Sequence, residues 1–180
     1  MRCGQASNPV ILLMWPGRGS SVCSALEGVD MALVRLSHEV RAPADAVFDY
    51  ADNHENYPLF FHGFTNFEWT SPRHETGTRL KMECKFAGIE LPVEVETIEV
   101  VPERKISGVF VSGLRGRFDW DFEPTQETTW VTLTAEYELP SWFLARTGGR
   151  FPVDRELCVC IEKTLAALKA MLEAQTAAAK

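Results

Sequence analysis

The chain has 180 residues, of which 46% are apolar and 24% charged, and its formal net charge is −7 at pH 7. This composition is typical of one globular domain and excludes wholesale disorder. The negative charge excludes nucleic acid as a favoured partner, because phosphates would repel it. The chain has no apolar run near the roughly 20 residues of a membrane span, so we predict a cytoplasmic protein without stable membrane insertion.

The first 30 residues lack a clear structural period, and regular alternation begins at Met31. An apolar run at Val10–Trp15 is short even for the core of a signal peptide, and Pro16 follows it directly. We interpret residues 1–30 as a poorly ordered leader upstream of a true start at Met31. A processed targeting segment is the alternative.

Alternation of apolar and polar residues from Val34 to Val40 predicts a half-buried strand. Two short helices follow, the first opening near Pro43 and the second stopped by Pro58. From Phe64 onward the pattern predicts six further strands separated by turn residues. Because each link between these six strands is short, neighbouring strands should run antiparallel.

The last predicted element is a long helix from about Asp154 to about Ala174. One helical stripe supports it: Leu157, Ile161, Leu165, Leu168 and Leu172. A single helix cannot cover seven strands, so the sheet must curl around it. We therefore predict an α+β fold, β-α-α-β6-α, with a curled seven-stranded antiparallel sheet over residues 31–175 and a frayed tail at 176–180. A lipocalin-like barrel is the alternative, which the helices after the first strand disfavour.

Three segments of the chain resemble the START-like, or SRPBCC, superfamily, which includes the birch-pollen-allergen-like proteins. The run Val40–Phe48 resembles its first strand and helix, Asn56–Phe61 its tyrosine-proline-x-phenylalanine stretch, and Phe118–Pro124 its late aromatic strand. Within the superfamily the chain looks closest to the polyketide cyclase/dehydrase and lipid-transport group, with its coenzyme Q-binding relatives. The resemblance implies a helix-grip fold with a deep hydrophobic cavity, and it does not name a ligand.

Large side chains on the inner face of the predicted sheet would wall such a cavity. Periodicity alone does not separate a filled core from a hollow one, but the resemblance favours a chamber of roughly 300–1,000 Å³. The ligand-binding residues that we predict are His38, Met82, Phe86, Phe110, Trp120, Tyr137, Phe143, Leu157 and Ile161. The segment Ser141–Pro152 joins aromatic side chains to glycines, which fits either a mobile gate or an ordinary loop that caps the core.

Catalytic chemistry has weak support in the sequence. His38 and Tyr137 fall on the inner face and are the candidate proton donors or acceptors, and both also fit satisfied core residues. Few other titratable groups fall on the inner faces. No nucleotide-binding motif is present, so we predict no cofactor.

We predict no metal site either. The cluster Asp52, His54, Glu55 and His62 lacks metal-ligand spacing, and we interpret it as a solvated helix end. The five cysteines fit no zinc pattern, and we expect them to be free thiols.

Three functions remain in competition. The favoured hypothesis is a carrier or binding protein for a lipid, isoprenoid or polyketide-like molecule. The first alternative is an enzyme of the cyclase or dehydratase type that uses the same cavity. The second is a protein-interaction module, since the resemblance extends to ribosome-associated relatives, although the charge of −7 disfavours a ribosome partner. The oligomeric state is not predicted.

Overall fold

The computed structural model of the protein describes residues 22–25, 31–86, 88–147 and 150–178. Its strands are β1 (Val22–Ala25), β2 (Met31–Val40), β3 (Phe64–Trp69), β4 (Arg79–Phe86), β5 (Ile89–Val101), β6 (Lys105–Ser112), β7 (Arg115–Pro124) and β8 (Thr129–Glu138). Its helices are α1 (Ala44–Asp52), α2 (Tyr57–Phe60), α3 (Ser141–Thr147) and α4 (Arg150–Ala178), and a 3₁₀ turn at His54–Asn56 joins α1 to α2.

The strands form one antiparallel sheet in the order β1-β2-β8-β7-β6-β5-β4-β3. Strands β2 to β8 are the seven predicted strands, so the predicted α+β fold, a sheet that grips a C-terminal helix, is confirmed. The eighth strand, β1, pairs with β2 in a register that sets Val22 opposite Arg35. It falls within the segment that we assigned to a leader. The rest of that segment lies outside the described residues, so the leader stays a prediction.

Helix α4 packs on the sheet through the predicted leucine-rich stripe, whose five members are all buried. Its main contacts with the sheet are to β2 and, farther along the sheet order, to β4. Five strand spacings separate β2 from β4, which is about 24 Å in a flat sheet, whereas a helix is about 10–12 Å wide. The sheet therefore curls around α4, and the strands between β2 and β4 stand farther from the helix.

The connection between β8 and α4 differs from the predicted loop. Residues 141–147 form α3, whose first turn begins at Pro140: the Pro140 carbonyl accepts hydrogen bonds from the backbone N–H groups of Phe143 and Leu144. Helix α4 starts earlier than predicted, at Arg150, with Pro152 in its first turn, where the missing N–H costs no helical bond. It also includes residues 176–178 of the predicted tail.

One cysteine departs from the expected free thiols. Cys158 is disulfide-bonded, whereas Cys84 and Cys160 are free. Among the described residues, no helix is both long and apolar enough to cross a membrane. The cytoplasmic location remains a prediction.

Candidate functional site

A cavity lies between the inner face of the sheet and α4. Its wall is Tyr57, Phe61, Phe64, His74, Leu80, Met82, Cys84, Phe86, Val93, Val95, Phe110, Leu114, Phe118, Trp120, Leu133, Ala135, Tyr137, Leu157, Ile161 and Thr164. The space that the centre of a water molecule can occupy is about 70 Å³, enough for several waters because one needs about 10–15 Å³ on this measure. All the space between the lining atoms, counted out to open solvent, is about 730 Å³. On this measure the chamber is smaller than expected.

Seven of the nine residues that we predicted to bind a ligand line this cavity: Met82, Phe86, Phe110, Trp120, Tyr137, Leu157 and Ile161. Strand alternation brings the first five to the inner face, and the α4 stripe supplies the last two. The structure brings these seven side chains together. Their role in binding remains a proposal.

His38 does not line the cavity, although it lies on the inner face of β2. Its Nε2 lies 3.0 Å from Oε1 of Glu162 on α4. None of the described lining residues belongs to β2, because α4 packs directly on this strand and covers its inward side chains. His38 therefore meets the helix and not the chamber.

Phe143 also stays out of the cavity lining. It is fully buried, and its ring packs edge to face on Phe86 at a centroid distance of 6.4 Å. Phe86 lines the cavity, so Phe143 lies in the layer behind it. This placement on α3 fits the interpretation of the segment as a cap over the core.

Tyr137 lines the cavity at the end of β8 and is fully buried. Its hydroxyl donates a hydrogen bond of 2.6 Å to Oδ1 of Asp154 on α4. The hydroxyl is thus tied to the helix, which fits the alternative of a satisfied core tyrosine.

A buried polar cluster at the cavity wall was not predicted. Tyr57 and His74 both line the cavity, and the Tyr57 hydroxyl lies 2.5 Å from Nε2 of His74. Behind them, Nε2 of His54 lies 3.2 Å from the same His74 nitrogen, and Oγ1 of Thr97 lies 2.8 Å from His74 Nδ1. His54 donates through Nδ1 to the Ser71 carbonyl at 2.7 Å. The chain of polar contacts therefore runs from the backbone to the cavity surface.

Local backbone contacts hold this cluster together. The Asn53 side chain accepts a bond from the Glu55 N–H and opens the 3₁₀ turn that leads to Tyr57. The His54 N–H donates to the Pro72 carbonyl at 2.8 Å, which ties the turn to the segment that carries His74. Oδ1 of Asp52 accepts the His74 backbone N–H at 3.1 Å.

Asp52 and His54 are buried, so the interpretation of this region as a solvated helix end is wrong for both. Their polar groups are satisfied inside the protein. No group of three or more His, Cys, Asp or Glu side chains suited to a metal occurs in the part of the chain that the structure describes.

Both histidines of the cluster are held neutral. Burial, followed by the nearby His54, lowers the pKa of His74 to about 3. Burial also lowers the pKa of His54, against the opposing effects of its bond to Ser71 and of the Asp52 charge. Burial raises the pKa of Tyr57. Near neutral pH the cluster is therefore uncharged at the cavity wall.

The comparisons with known proteins agree with the geometry. Residues 31–173 match the family described as polyketide cyclase/dehydrase and lipid transport. No curated protein sequence matches the chain. A solved structure from Thermus thermophilus is similar, with 23% identity and a TM-score of 0.66 over 79% of this chain and 98% of the other.

Two further solved structures have similar folds. The Zhui aromatase/cyclase of Streptomyces sp. R1128 has 19% identity and a TM-score of 0.65 over 81% of this chain and 96% of its own. A START superfamily protein of Mycobacterium smegmatis has 14% identity and a TM-score of 0.62 over 79% of this chain and 98% of its own. At these identities the three structures establish the helix-grip fold and do not establish an activity.

Proposed function

Because the chain belongs to the polyketide cyclase/dehydrase and lipid transport family of the START-like superfamily, we propose that it binds a hydrophobic small molecule in its internal cavity, as a carrier or ligand-binding protein. The family description covers polyketide chemistry and lipid transport, both of which concern hydrophobic molecules. The observation that carries the proposal is the cavity itself. Protein interiors are normally close-packed, so an apolar chamber of this kind is typical of a ligand-binding site.

The size and charge of the chamber narrow the class of ligand. The space that the centre of a water molecule can occupy, about 70 Å³, favours a compact molecule over a long lipid chain. No lysine, arginine, aspartate or glutamate is among the described residues that line it. A charged ligand would therefore be desolvated without a counter-charge, which is costly.

An enzyme of the cyclase or dehydratase type is the second candidate, and the Tyr57–His74 pair favours it. The pKa directions weigh against it. A general acid or base works best when its pKa is near the working pH, whereas burial moves the pKa of His74 down to about 3 and that of Tyr57 upward. The pair is therefore better suited to hydrogen bonding than to proton transfer, which favours the carrier function over the enzyme.

The test is a substitution that enlarges a side chain in the cavity wall, so that it occupies the cavity. Ala135 lines the cavity on β8, so Ala135→Phe should place a ring in the space that a ligand needs, at a stability cost of about 1–3 kcal/mol. We expect the wild type to bind ethylbenzene, measured by NMR titration, and to lose this binding in the variant. A ligand at a hundredfold excess over Kd should also stabilise the wild type by about 2.7 kcal/mol.

The matched control is Ala170→Phe, the same change at an exposed position on α4. It should bind ethylbenzene like the wild type. Native mass spectrometry of the purified protein should reveal a hydrophobic molecule that copurifies and leaves when Phe replaces Ala135. Binding that survives in a folded Ala135→Phe variant would contradict the proposal.

A further inference from the structure

The hydrogen atoms of the buried cluster can be assigned from the chemistry of the partners, beginning at His54. The Ser71 carbonyl can only accept, so Nδ1 of His54, at 2.7 Å, carries a hydrogen. Burial keeps His54 neutral, and its Nε2 therefore carries a lone pair. Since His54 is fully buried, that lone pair needs a donor inside the protein.

Nε2 of His74, at 3.2 Å, is in position to be that donor. With its hydrogen on Nε2, the neutral His74 ring leaves Nδ1 as an acceptor for the Thr97 hydroxyl at 2.8 Å. In the opposite tautomer of His74, the lone pairs on Nε2 of His54 and Nε2 of His74 would face each other. This tautomer would also leave the hydroxyl hydrogen of Thr97, which is 2% exposed, without an acceptor among the described residues. The Nε2–H tautomer of His74 is therefore favoured.

This assignment leaves one hydrogen over, and it belongs to Tyr57. The Tyr57 oxygen lies 2.5 Å from the same His74 nitrogen, so the single Nε2 hydrogen is shared in a three-centre bond between the Tyr57 oxygen and Nε2 of His54. The hydroxyl hydrogen of Tyr57 then lacks an acceptor within the described part of the chain, although Tyr57 is 2% exposed. Because Tyr57 lines the cavity, the acceptor has to come from whatever fills the cavity.

We infer that Tyr57 donates a hydrogen bond to the carbonyl oxygen of an uncharged ligand, such as a compact ketone, quinone or ester. This inference rests on the proposed binding function. A carbonyl only accepts, whereas an alcohol brings a hydrogen that needs an acceptor of its own. The other lining hydroxyls already donate within the fold, Thr164 to the Cys160 carbonyl and Tyr137 to Asp154.

The test compares two probes of similar shape, acetophenone and ethylbenzene, which differ in the carbonyl. NMR titrations give the Kd of each for the wild type, Tyr57→Phe and Tyr50→Phe. The last variant is the matched control, because it removes a hydroxyl that bonds to the sulfur of Met171 away from the cavity lining. We expect Tyr57→Phe to weaken acetophenone binding about 2- to 12-fold, the range for one hydrogen bond, and to leave ethylbenzene binding unchanged. Tyr50→Phe should change neither.

The failures of the two proposals are distinguishable. If neither probe binds the wild type, both the cavity function and the inference fall. If both probes bind and Tyr57→Phe changes their Kd values by the same factor, only the inference falls. The carbonyl stretch of bound acetophenone, labelled with ¹³C, should lie at a lower frequency in the wild type than in Tyr57→Phe. Equal frequencies would also overturn the inference.

A measurement on the wild type keeps the inference testable if Tyr57→Phe does not fold. Nitrogen-15 NMR distinguishes a protonated from an unprotonated ring nitrogen in histidine. We expect His74 to carry its hydrogen on Nε2 near neutral pH. Observation of the Nδ1–H form would mean that the Tyr57 hydrogen is already taken by His74, and the inference would be overturned.

Discussion

The wall of the cavity has two parts, which the chain builds in different ways. Strands β3 to β8 and α4 supply most of the apolar side chains, placed largely by strand alternation and by the helical stripe. Tyr57 and His74 come from the short α2 helix and from the turn-rich segment before β4, and hydrogen bonds hold them in place. In the function that we propose, the apolar wall would select a ligand by its size and the polar wall by its hydrogen-bond acceptor.

The two parts also differ in what holds them. The apolar wall depends on close packing, which weakens gradually as atoms are removed. The polar wall depends on a network in which each buried group needs its partner, so the loss of one member leaves another unsatisfied. Predictions for the two parts therefore differ in size and in their response to pH.

The largest expected effect concerns the packed stripe of α4. Leu165 is 1% exposed and does not line the cavity, whereas Ile161 is 3% exposed and does. We expect Leu165→Ala to cost about 4–5 kcal/mol and Ile161→Ala about 2–3 kcal/mol, within the range for such truncations. Ile161 already faces empty space on one side, so its truncation removes fewer contacts. Urea denaturation of both variants measures the difference, and equal costs would contradict a void beside Ile161.

The same contrast explains what the sequence could predict. Alternation over eight or more residues, as in β4, β7 and β8, assigns each side chain to a face, and the α4 stripe does the same at helical spacing. The seven predicted residues that line the cavity come from these elements and from β6. Strand β1 was missed because four residues are too few to show a period.

The polar wall could not be predicted in this way. His74 lies in a segment of turn residues, where no period tells which way a side chain points. The side chain of His54 faces inward because its backbone is tied to Pro72, a contact across 18 positions that the sequence does not reveal. The resemblance of Asn56–Phe61 to a family motif marked the neighbourhood of Tyr57 without assigning a partner to its hydroxyl. His38 does not line the cavity for a different reason. The sequence placed it on the correct face of its strand, but α4 covers that strand.

The next effect is a pH dependence that belongs to the polar wall. Burial lowers the pKa of His74 from 6.5 to about 3 in the folded protein, so below pH 6.5 the unfolded chain takes up a proton that the folded protein refuses. The free energy of unfolding should therefore fall as the pH drops through 6.5 toward 3, by roughly 2 kcal/mol at pH 5 for this group. Urea denaturation at pH 7 and pH 5 measures the loss.

His74→Gln should show a smaller difference in stability between pH 7 and pH 5 than the wild type. The matched control is His62→Gln, because His62 is exposed, and it should keep the wild-type difference. If His74→Gln and the wild type lose the same stability on acidification, His74 is not buried as a neutral ring.

The smallest expected effect is a difference in stability between variants of Asp52 and Asp49, two carboxylates that contact the same arginine. Oδ2 of Asp52 and Oδ1 of Asp49 lie 2.9 and 3.2 Å from the same Nη1 of Arg73. The Asp52 side chain is 7% exposed and that of Asp49 is 69% exposed. Asp52 also accepts the backbone N–H of His74, so it holds the segment of His74 in place in addition to pairing with Arg73.

We expect Asp52→Asn to cost about 1–2 kcal/mol, because a buried bond to a charged group is weakened while one side-chain oxygen remains to accept from His74. Asp49→Asn should cost about 0–0.5 kcal/mol, the usual value for an exposed ion pair. Urea denaturation gives both numbers, and the ¹⁵N signals of the His74 ring should move only in the Asp52 variant. Equal costs, or an unmoved His74 ring in Asp52→Asn, would mean that the polar wall is held by its ring contacts alone and that Asp52 serves only as a partner for Arg73.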